Sequence, residues 1–242
     1  EEVARELGLP LDGLIKLASN ENPLGPSPKA IEAMKQTATQ THLYPDGNAF
    51  YLRNTIAERL GVDTNQLIFG NGSNEIIEFV AHALLGHGMN IVVSQYCFAI
   101  YPIVAHLTGA NCITAPAKEY GHDLHAMAEA ITPDTRIVFV ANPNNPTGTL
   151  ASHDDVVALI NAVPDHTLLV VDEAYFEFLD GPLDLIPRLL EKPNLLLMRT
   201  FSKIYGLAGL RVGYGIGHPE LIAALEKVRQ PFNLNAMAQA AA

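Results

Sequence analysis

The sequence predicts an α/β protein: a mostly parallel, mixed sheet of about seven strands with helices on both faces. Three observations point there. Short apolar, β-branched runs near 67–69, 90–93, 111–114, 136–141, 167–171, 194–199 and 212–216 alternate with amphipathic stretches at 74–85, 98–107, 123–131, 153–162 and 184–190. This is the pattern of strands joined by helical crossovers. The runs Leu168-Leu169-Val170-Val171 and Leu195-Leu196-Leu197-Met198 carry no polar interruption, as strands covered on both faces require. Polar and glycine-rich residues collect directly after several runs, where open α/β sheets bind ligands.

Residues 1–26 read as an irregular arm rich in Pro and Gly, ending in Ser19-Asn20-Glu21-Asn22-Pro23-Leu24-Gly25-Pro26. Ser27 and Pro28 then form a paired helix start, a hydroxyl cap followed by proline at the first helical position. After the turn Tyr44-Pro45-Asp46-Gly47 a second helix runs to about Leu60 and closes on Gly61. Strand and helix alternate from there. The last two runs are separated by too little chain for a full helical crossover, so one of them is expected to run antiparallel. The first residues, Glu1-Glu2-Val3-Ala4-Arg5, are neither a signal peptide nor an initiator methionine. The last, Ala240-Ala241-Ala242, stop in a helical pattern without a cap. An incomplete chain is expected.

Hydrophobic residues at 48% and charged residues at 17% describe a folded, globular chain of 242 residues. A formal net charge of −11 argues against nonspecific nucleic-acid binding. Cys97 and Cys112 supply no disulfide framework; they are expected as small buried hydrophobes in a reducing, cytoplasmic setting. No apolar run approaches the roughly 18 residues that a membrane helix needs. His122 and His125 have helical spacing, but neither they nor His82 and His87 have a completing ligand nearby, so no metal site is predicted. The expected partners are small molecules, not nucleic acid or membrane.

The segments after the runs carry the chemistry. Gly70-Asn71-Gly72-Ser73-Asn74 leads from a strand into a helix, whose free N–H groups suit a phosphate; an ordinary glycine turn with a Ser cap fits as well. It is neither a P-loop nor a dinucleotide fingerprint. Asn142-Pro143-Asn144-Asn145-Pro146-Thr147-Gly148 is a turn cluster in which an amide can donate to an oxyanion. Asp172 ends a buried run, a costly place for a carboxylate unless it is paired, and a protonated ring nitrogen would pair it. Glu173 is adjacent, but neighbouring strand residues point to opposite faces and converge poorly on one metal ion. Tyr175 can donate to a phenolic oxygen.

Lys203, in Thr200-Phe201-Ser202-Lys203, has the fate of a surface charge open to it. Its neighbours Phe201, Ile204, Tyr205 and Leu207 instead predict an apolar setting that lowers a lysine's pKa and makes it a nucleophile. Arg211, eight positions on, suits bidentate phosphate binding. Phe98 stacks on a planar ring or serves as a core aromatic. An amine for an aldehyde, an anion for a ring nitrogen and donors for a phosphate are together what pyridoxal phosphate requires.

Taken together, these motifs resemble the fold-type I pyridoxal-phosphate aminotransferases and, within them, the histidinol-phosphate aminotransferases. The resemblance spans nearly the whole chain through Leu17-Ala18-Ser19-Asn20-Glu21-Asn22-Pro23, Tyr44-Pro45-Asp46-Gly47, Asn144-Asn145-Pro146-Thr147-Gly148, Asp172-Glu173-Ala174-Tyr175 and Thr200-Phe201-Ser202-Lys203. It implies that Lys203 condenses with the cofactor's aldehyde and that Asp172 partners the ring nitrogen. Asn145 and Tyr175 would contact the phenolic oxygen, and Phe98 would stack on the ring. Ser73, Asn74, Thr200, Ser202 and Arg211 would gather round the phosphate. Where many relatives carry an acidic residue this chain has Asn74, whose backbone N–H can still serve. Tyr44 would reach the phosphate of a neighbouring subunit, which implies a homodimer.

The resemblance also implies a division into an arm with part of a small domain (1–45), a cofactor-binding large domain (46–232) and the start of a C-terminal small domain (233–242) largely absent from this chain. The implied reaction is transamination of L-histidinol phosphate with 2-oxoglutarate in histidine biosynthesis. An aromatic amino-acid aminotransferase, a phosphothreonine decarboxylase and a noncatalytic regulatory domain are the alternatives.

Overall fold

The central strands alternate their side chains between two cores, which is why their runs lack polar gaps. The computed structural model describes residues 2–10, 12 and 14–242. Its main sheet has seven strands: β1 (Leu67–Asn71), β2 (Asn90–Ser94), β3 (Asn111–Ala115), β6 (Thr135–Ala141), β7 (Leu168–Asp172), β8 (Leu195–Thr200) and β9 (Val212–Gly217). Their order is β1-β9-β8-β7-β6-β2-β3. β9 runs antiparallel to both β8 and β1, and the other pairs are parallel. The expected antiparallel strand is therefore β9, inserted next to β8 without a crossover helix.

Val92, Val138, Val140, Leu195 and Leu197 point into one core. Ile91, Val93, Ile137, Phe139, Leu196 and Met198 point into the other, as the two-residue period of a strand dictates. Helices α4 (Ser73–Leu84), α5 (Ile100–Thr108) and α8 (Pro219–Leu225) cover the second core. Helices α3 (Phe50–Leu60), α6 (Leu124–Glu129) and α7 (His153–Ala162) cover the first. α2 (Pro28–Ala38) packs against α9 (Ala236–Ala241) through small residues that include Ala30 and Ala238, both buried. Ser27 Oγ accepts the N–H of Ala30 at 3.2 Å, and Gly61 closes α3 in the left-handed conformation, both as the sequence predicts.

Five local readings are corrected. The arm is not wholly irregular, since Glu2–Glu6 form a short helix, α1. The stretch 184–190 yields only a 3-10 turn, Ile186–Arg188, with a proline inside it. A hairpin of β4 (Ala117–Lys118) and β5 (Gly121–His122) was not anticipated; its turn residues Glu119 and Tyr120 adopt positive φ, although neither is a residue type that signals such a turn. α8 was likewise missed. His122 and His125 do not share a helix: His122 lies in β5 with Nε2 3.0 Å from the Ala141 carbonyl oxygen, and His125 lies in α6.

The parallel registers align the strand ends. Ala141 pairs with Asp172, and Asp172 with Met198, so β6, β7 and β8 finish on one rim. β1 ends beside the start of β9, with Asn71 opposite Val212. That rim carries the site. No helix among the described residues is long and apolar enough to cross a membrane.

Candidate active site

Asp172 closes β7 with its side chain almost fully buried. Tyr101 donates its hydroxyl proton to Oδ2 at 2.9 Å, and the Ala174 N–H donates to Oδ1 at 3.1 Å. Burial pushes the Asp172 carboxyl above its ordinary range; the Tyr101 hydroxyl, the Ala174 N–H and the charge of Lys203 pull it back. Its neighbour Glu173 points the other way and meets Arg199 Nε at 2.8 Å in a buried pair. The two carboxylates thus serve separate purposes, as strand alternation predicts.

Lys203 follows β8. Its Nζ donates to the backbone oxygens of Ser19 and Asn20, 3.3 Å each, and lies 5.5 Å from the centroid of the Tyr175 ring. The apolar surroundings expected of this lysine are replaced at its tip by two carbonyls contributed by the arm. The arm is held there by close backbone contact. Gly206 has φ +67°, and a Cβ on it would lie 2.5 Å from the carbonyl carbon and oxygen of Gly25. Asn22 Nδ2 adds a 2.7 Å bond to the Ile204 carbonyl oxygen. Asn20 Nδ2 donates to the Tyr175 hydroxyl oxygen at 2.8 Å, which leaves the phenol's own proton free for a ligand.

The pocket also carries a set of donors. α4 begins after Gly72 without a side-chain cap, so its first N–H groups remain available. Gly72 has φ +79°, and a Cβ on it would collide with the Arg211 guanidinium. Arg211 Nη1 donates to Ser202 Oγ at 3.3 Å and to the Ala208 carbonyl at 3.0 Å. Thr200 Oγ1 accepts the Ser202 N–H at 3.1 Å. The single acid in the first turn of α4, Glu75, is taken up by the Asn71 N–H and the Asn233 amide, 2.6 Å each.

Ten of the eleven residues singled out in the sequence line one cavity of about 310 Å³: Ser73, Asn74, Phe98, Asn145, Asp172, Tyr175, Thr200, Ser202, Lys203 and Arg211. Tyr44 does not; it is largely exposed, with its ring stacked on Phe232 at 4.9 Å. Ser19 also lines the cavity, and Asn20 lines both this cavity and a second, of about 420 Å³, that opens beside Lys203 between Glu21, Asn22, Pro143 and Phe178. The role of Ser19 and Asn20 was missed because they sit in a loop some 180 residues before the lysine they contact. Tyr101 was missed because a buried aromatic in a helix reads as core.

An amine, a buried carboxylate and a crowded set of anion donors on one rim fit a ligand that carries a carbonyl, a basic ring nitrogen and a phosphate. With the strand order, they define the large-domain scaffold of a fold-type I transferase. The chain belongs to the class I and II aminotransferases, whose family model matches residues 12–242. It is 51% identical to histidinol-phosphate aminotransferase 2 of Nitrosospira multiformis, over 97% of this chain and 60% of that protein. It is 49% identical to histidinol-phosphate aminotransferase 2 of Methylococcus capsulatus, over 100% of this chain and 67% of that protein. Among solved structures, the histidinol-phosphate aminotransferase of Sinorhizobium meliloti in complex with pyridoxal-5'-phosphate superposes with a TM-score of 0.92 at 31% identity, covering 99% of this chain and 65% of that one. The L-threonine-O-3-phosphate decarboxylase of Porphyromonas gingivalis gives 0.79 at 25% identity, covering 89% and 67%. The chain thus spans roughly three fifths to two thirds of the length of these relatives.

Proposed function

We propose that this chain holds pyridoxal phosphate and carries the cofactor site of a transaminase that converts L-histidinol phosphate and 2-oxoglutarate to imidazole-acetol phosphate and glutamate, in histidine biosynthesis. The observation that carries the reading is that Lys203 and Asp172 line one cavity together with Arg211, Ser202 and the start of α4. Relatives about 50% identical and named for that substrate support it over the aromatic and decarboxylating alternatives.

Bound there, the cofactor supplies an aldehyde that exchanges amines and a protonated ring that draws electrons from the substrate's α-carbon. The residues do the rest. Lys203 would hold the cofactor at its aldehyde, and its amine would serve as the group that accepts the substrate's α-proton and returns it, base and then acid. The Ser19 and Asn20 carbonyls limit where Nζ can reach. Asp172 presents an anion to the ring nitrogen, and that positive charge offsets the burial that otherwise disfavours its carboxylate. Tyr175, oriented by Asn20, and Asn145 donate to the phenolic oxygen. Phe98, which lines the cavity, would stack on the ring. Thr200, Ser202, Arg211 and the N–H groups of Ser73 and Asn74 hold the phosphate, where a helix start favours negative charge. The second cavity, open beside Lys203, is the space for the amino donor.

A homodimer completes the site in this reading, with Tyr44 reaching the phosphate of the neighbouring subunit. The exposure of Tyr44, Leu43, Phe50 and Tyr51 supports it, since a cluster of exposed large apolar side chains marks an interaction surface. A cytoplasmic location accords with a soluble biosynthetic role. The test is a set of half-reactions on the chain extended to the length of its relatives, with histidinol phosphate, phenylalanine and phosphothreonine offered separately. Fastest conversion of the cofactor to its amine form by histidinol phosphate is expected. Carbon dioxide release from phosphothreonine, or preference for phenylalanine, would replace the substrate assignment.

A further inference from the structure

Tyr101 is the largest fully buried side chain among the described residues. It lies three residues after Phe98, in the turn that leads into α5, where the Tyr101 N–H bonds the Phe98 carbonyl oxygen at 3.2 Å, and the two rings meet edge to face at 5.8 Å. The Tyr101 ring is stacked on Phe139 of β6 at 4.5 Å with an interplanar angle of 2°. Clamped between helix and sheet, its hydroxyl has one side-chain partner, Oδ2 of Asp172. The opposite carboxylate oxygen already accepts the Ala174 N–H. Both ends of the carboxylate are therefore pinned, one by backbone and one by a phenol whose own position is set by aromatic packing.

We infer that Tyr101 is a positioning residue for the cofactor site: its donated proton locks the rotation of the Asp172 carboxylate and stabilises it as an anion facing the ring nitrogen. This rests on the proposed use of Asp172 as partner of that nitrogen. The direction of donation follows from chemistry. A phenol buried beside a carboxylate keeps its proton, and burial together with the Asp172 charge raises the Tyr101 pKa well above its ordinary value. A hydrogen bond donated to a carboxylate favours the charged form. The other groups that act on this pair are Lys203 on the Asp172 side and Cys97 and Tyr175 on the Tyr101 side. Lys203 favours the carboxylate; the other two disfavour only an ionised phenol. Among the described residues, Tyr101 is thus the neutral side chain whose hydrogen bond opposes the effect of burial on Asp172 and favours its carboxylate form.

Tyr101→Phe removes the hydroxyl and leaves the ring to pack. The experiment follows the Asp172 carboxyl by NMR titration of the cofactor-free chain, together with pyridoxal phosphate affinity. In the variant the titration midpoint of Asp172 should move up and cofactor affinity should fall roughly tenfold, the size of one lost hydrogen bond to a charged group. The second variant strengthens the donor: 3,5-difluorotyrosine at position 101 should move the midpoint down. A purely structural tyrosine would not give shifts of opposite sign. An unchanged midpoint in a folded Tyr101→Phe chain, or an unchanged midpoint with the fluorinated residue should the phenylalanine variant not fold, overturns the inference. Failure of the wild-type chain to take up pyridoxal phosphate would instead overturn the functional reading, so the two failures are separable.

Discussion

Asn20 in the arm donates its side-chain amide to the hydroxyl oxygen of Tyr175 at 2.8 Å, while its own carbonyl accepts a bond from Lys203. One residue far from the rim in sequence thereby touches two of the groups assigned to the chemistry. It orients the phenol as a donor toward the pocket and restrains the lysine's reach. Asn20→Ala keeps the carbonyl and loses the amide. A neutral hydrogen bond contributes about 0.5–1.5 kcal/mol, so transamination by the extended protein should slow about two- to tenfold. The absorbance of the bound cofactor should shift with it, because the phenolic oxygen loses an ordered donor. A spectrum and rate equal to wild type would remove Asn20 from the site.

Lys203→Ala is expected to abolish covalent attachment of the cofactor, read by borohydride reduction and mass spectrometry of the labelled peptide. Thermal stability should change little, because the lysine is only partly buried and bonds only to two backbone oxygens. Label found on another lysine would relocate the site.

Asp172→Asn preserves shape and removes charge. The cofactor should still bind, but turnover should fall by about 10²–10³-fold, the scale of deleting one preorganised electrostatic group. Near-normal turnover would mean that the ring nitrogen is stabilised by something else.

Glu173 gives a pH signature distinct from catalysis. Burial outweighs the attraction of Arg199 and pushes its carboxyl up to about 7 from an ordinary 4.5. Between those values the folded chain binds the extra proton. The contribution is therefore fully present below 4.5 and lost as pH rises through about 7, a change on the order of 3 kcal/mol. Thermal melts at pH 5 and pH 8 should show this fall in the wild-type chain and a smaller one in Glu173→Gln. Parallel pH dependence in both would show that the group does not titrate in this window.

Arg199→Leu probes the same pair from its other side. It leaves Glu173 buried without a counter-ion, and breaking such a pair costs about 3–5 kcal/mol. A drop of that size in urea unfolding is expected, whereas a change within experimental error would assign the pair no structural weight.

Much of the site is legible in sequence because its parts are local. Each strand end carries its own short motif: Asp172 after an apolar run, Lys203 two residues after Phe201, and the glycines before Ser73. Apolar periodicity locates the strands, and a strand's end locates the residues that follow it, so ten named side chains fall on one cavity. The antiparallel β9 was legible for a similar reason, chain length too short for a crossover.

Other features have no local signature. The β4–β5 turn uses Glu119 and Tyr120 at positive φ, residue types that do not announce it. The contacts of Lys203 with Ser19 and Asn20 span more than 180 residues and depend on the arm lying across Gly206. Tyr101 looks like any core aromatic until β7 is placed beside α5. By itself, then, the sequence determined which residues occupy strand ends, since hydrophobic periodicity is a near-neighbour property. Only the tertiary structure decided which distant donors reach the Asp172 carboxylate and the Lys203 amine, because those contacts are made by the packing of helix and arm against the sheet, and packing pairs residues that share no neighbourhood in the chain.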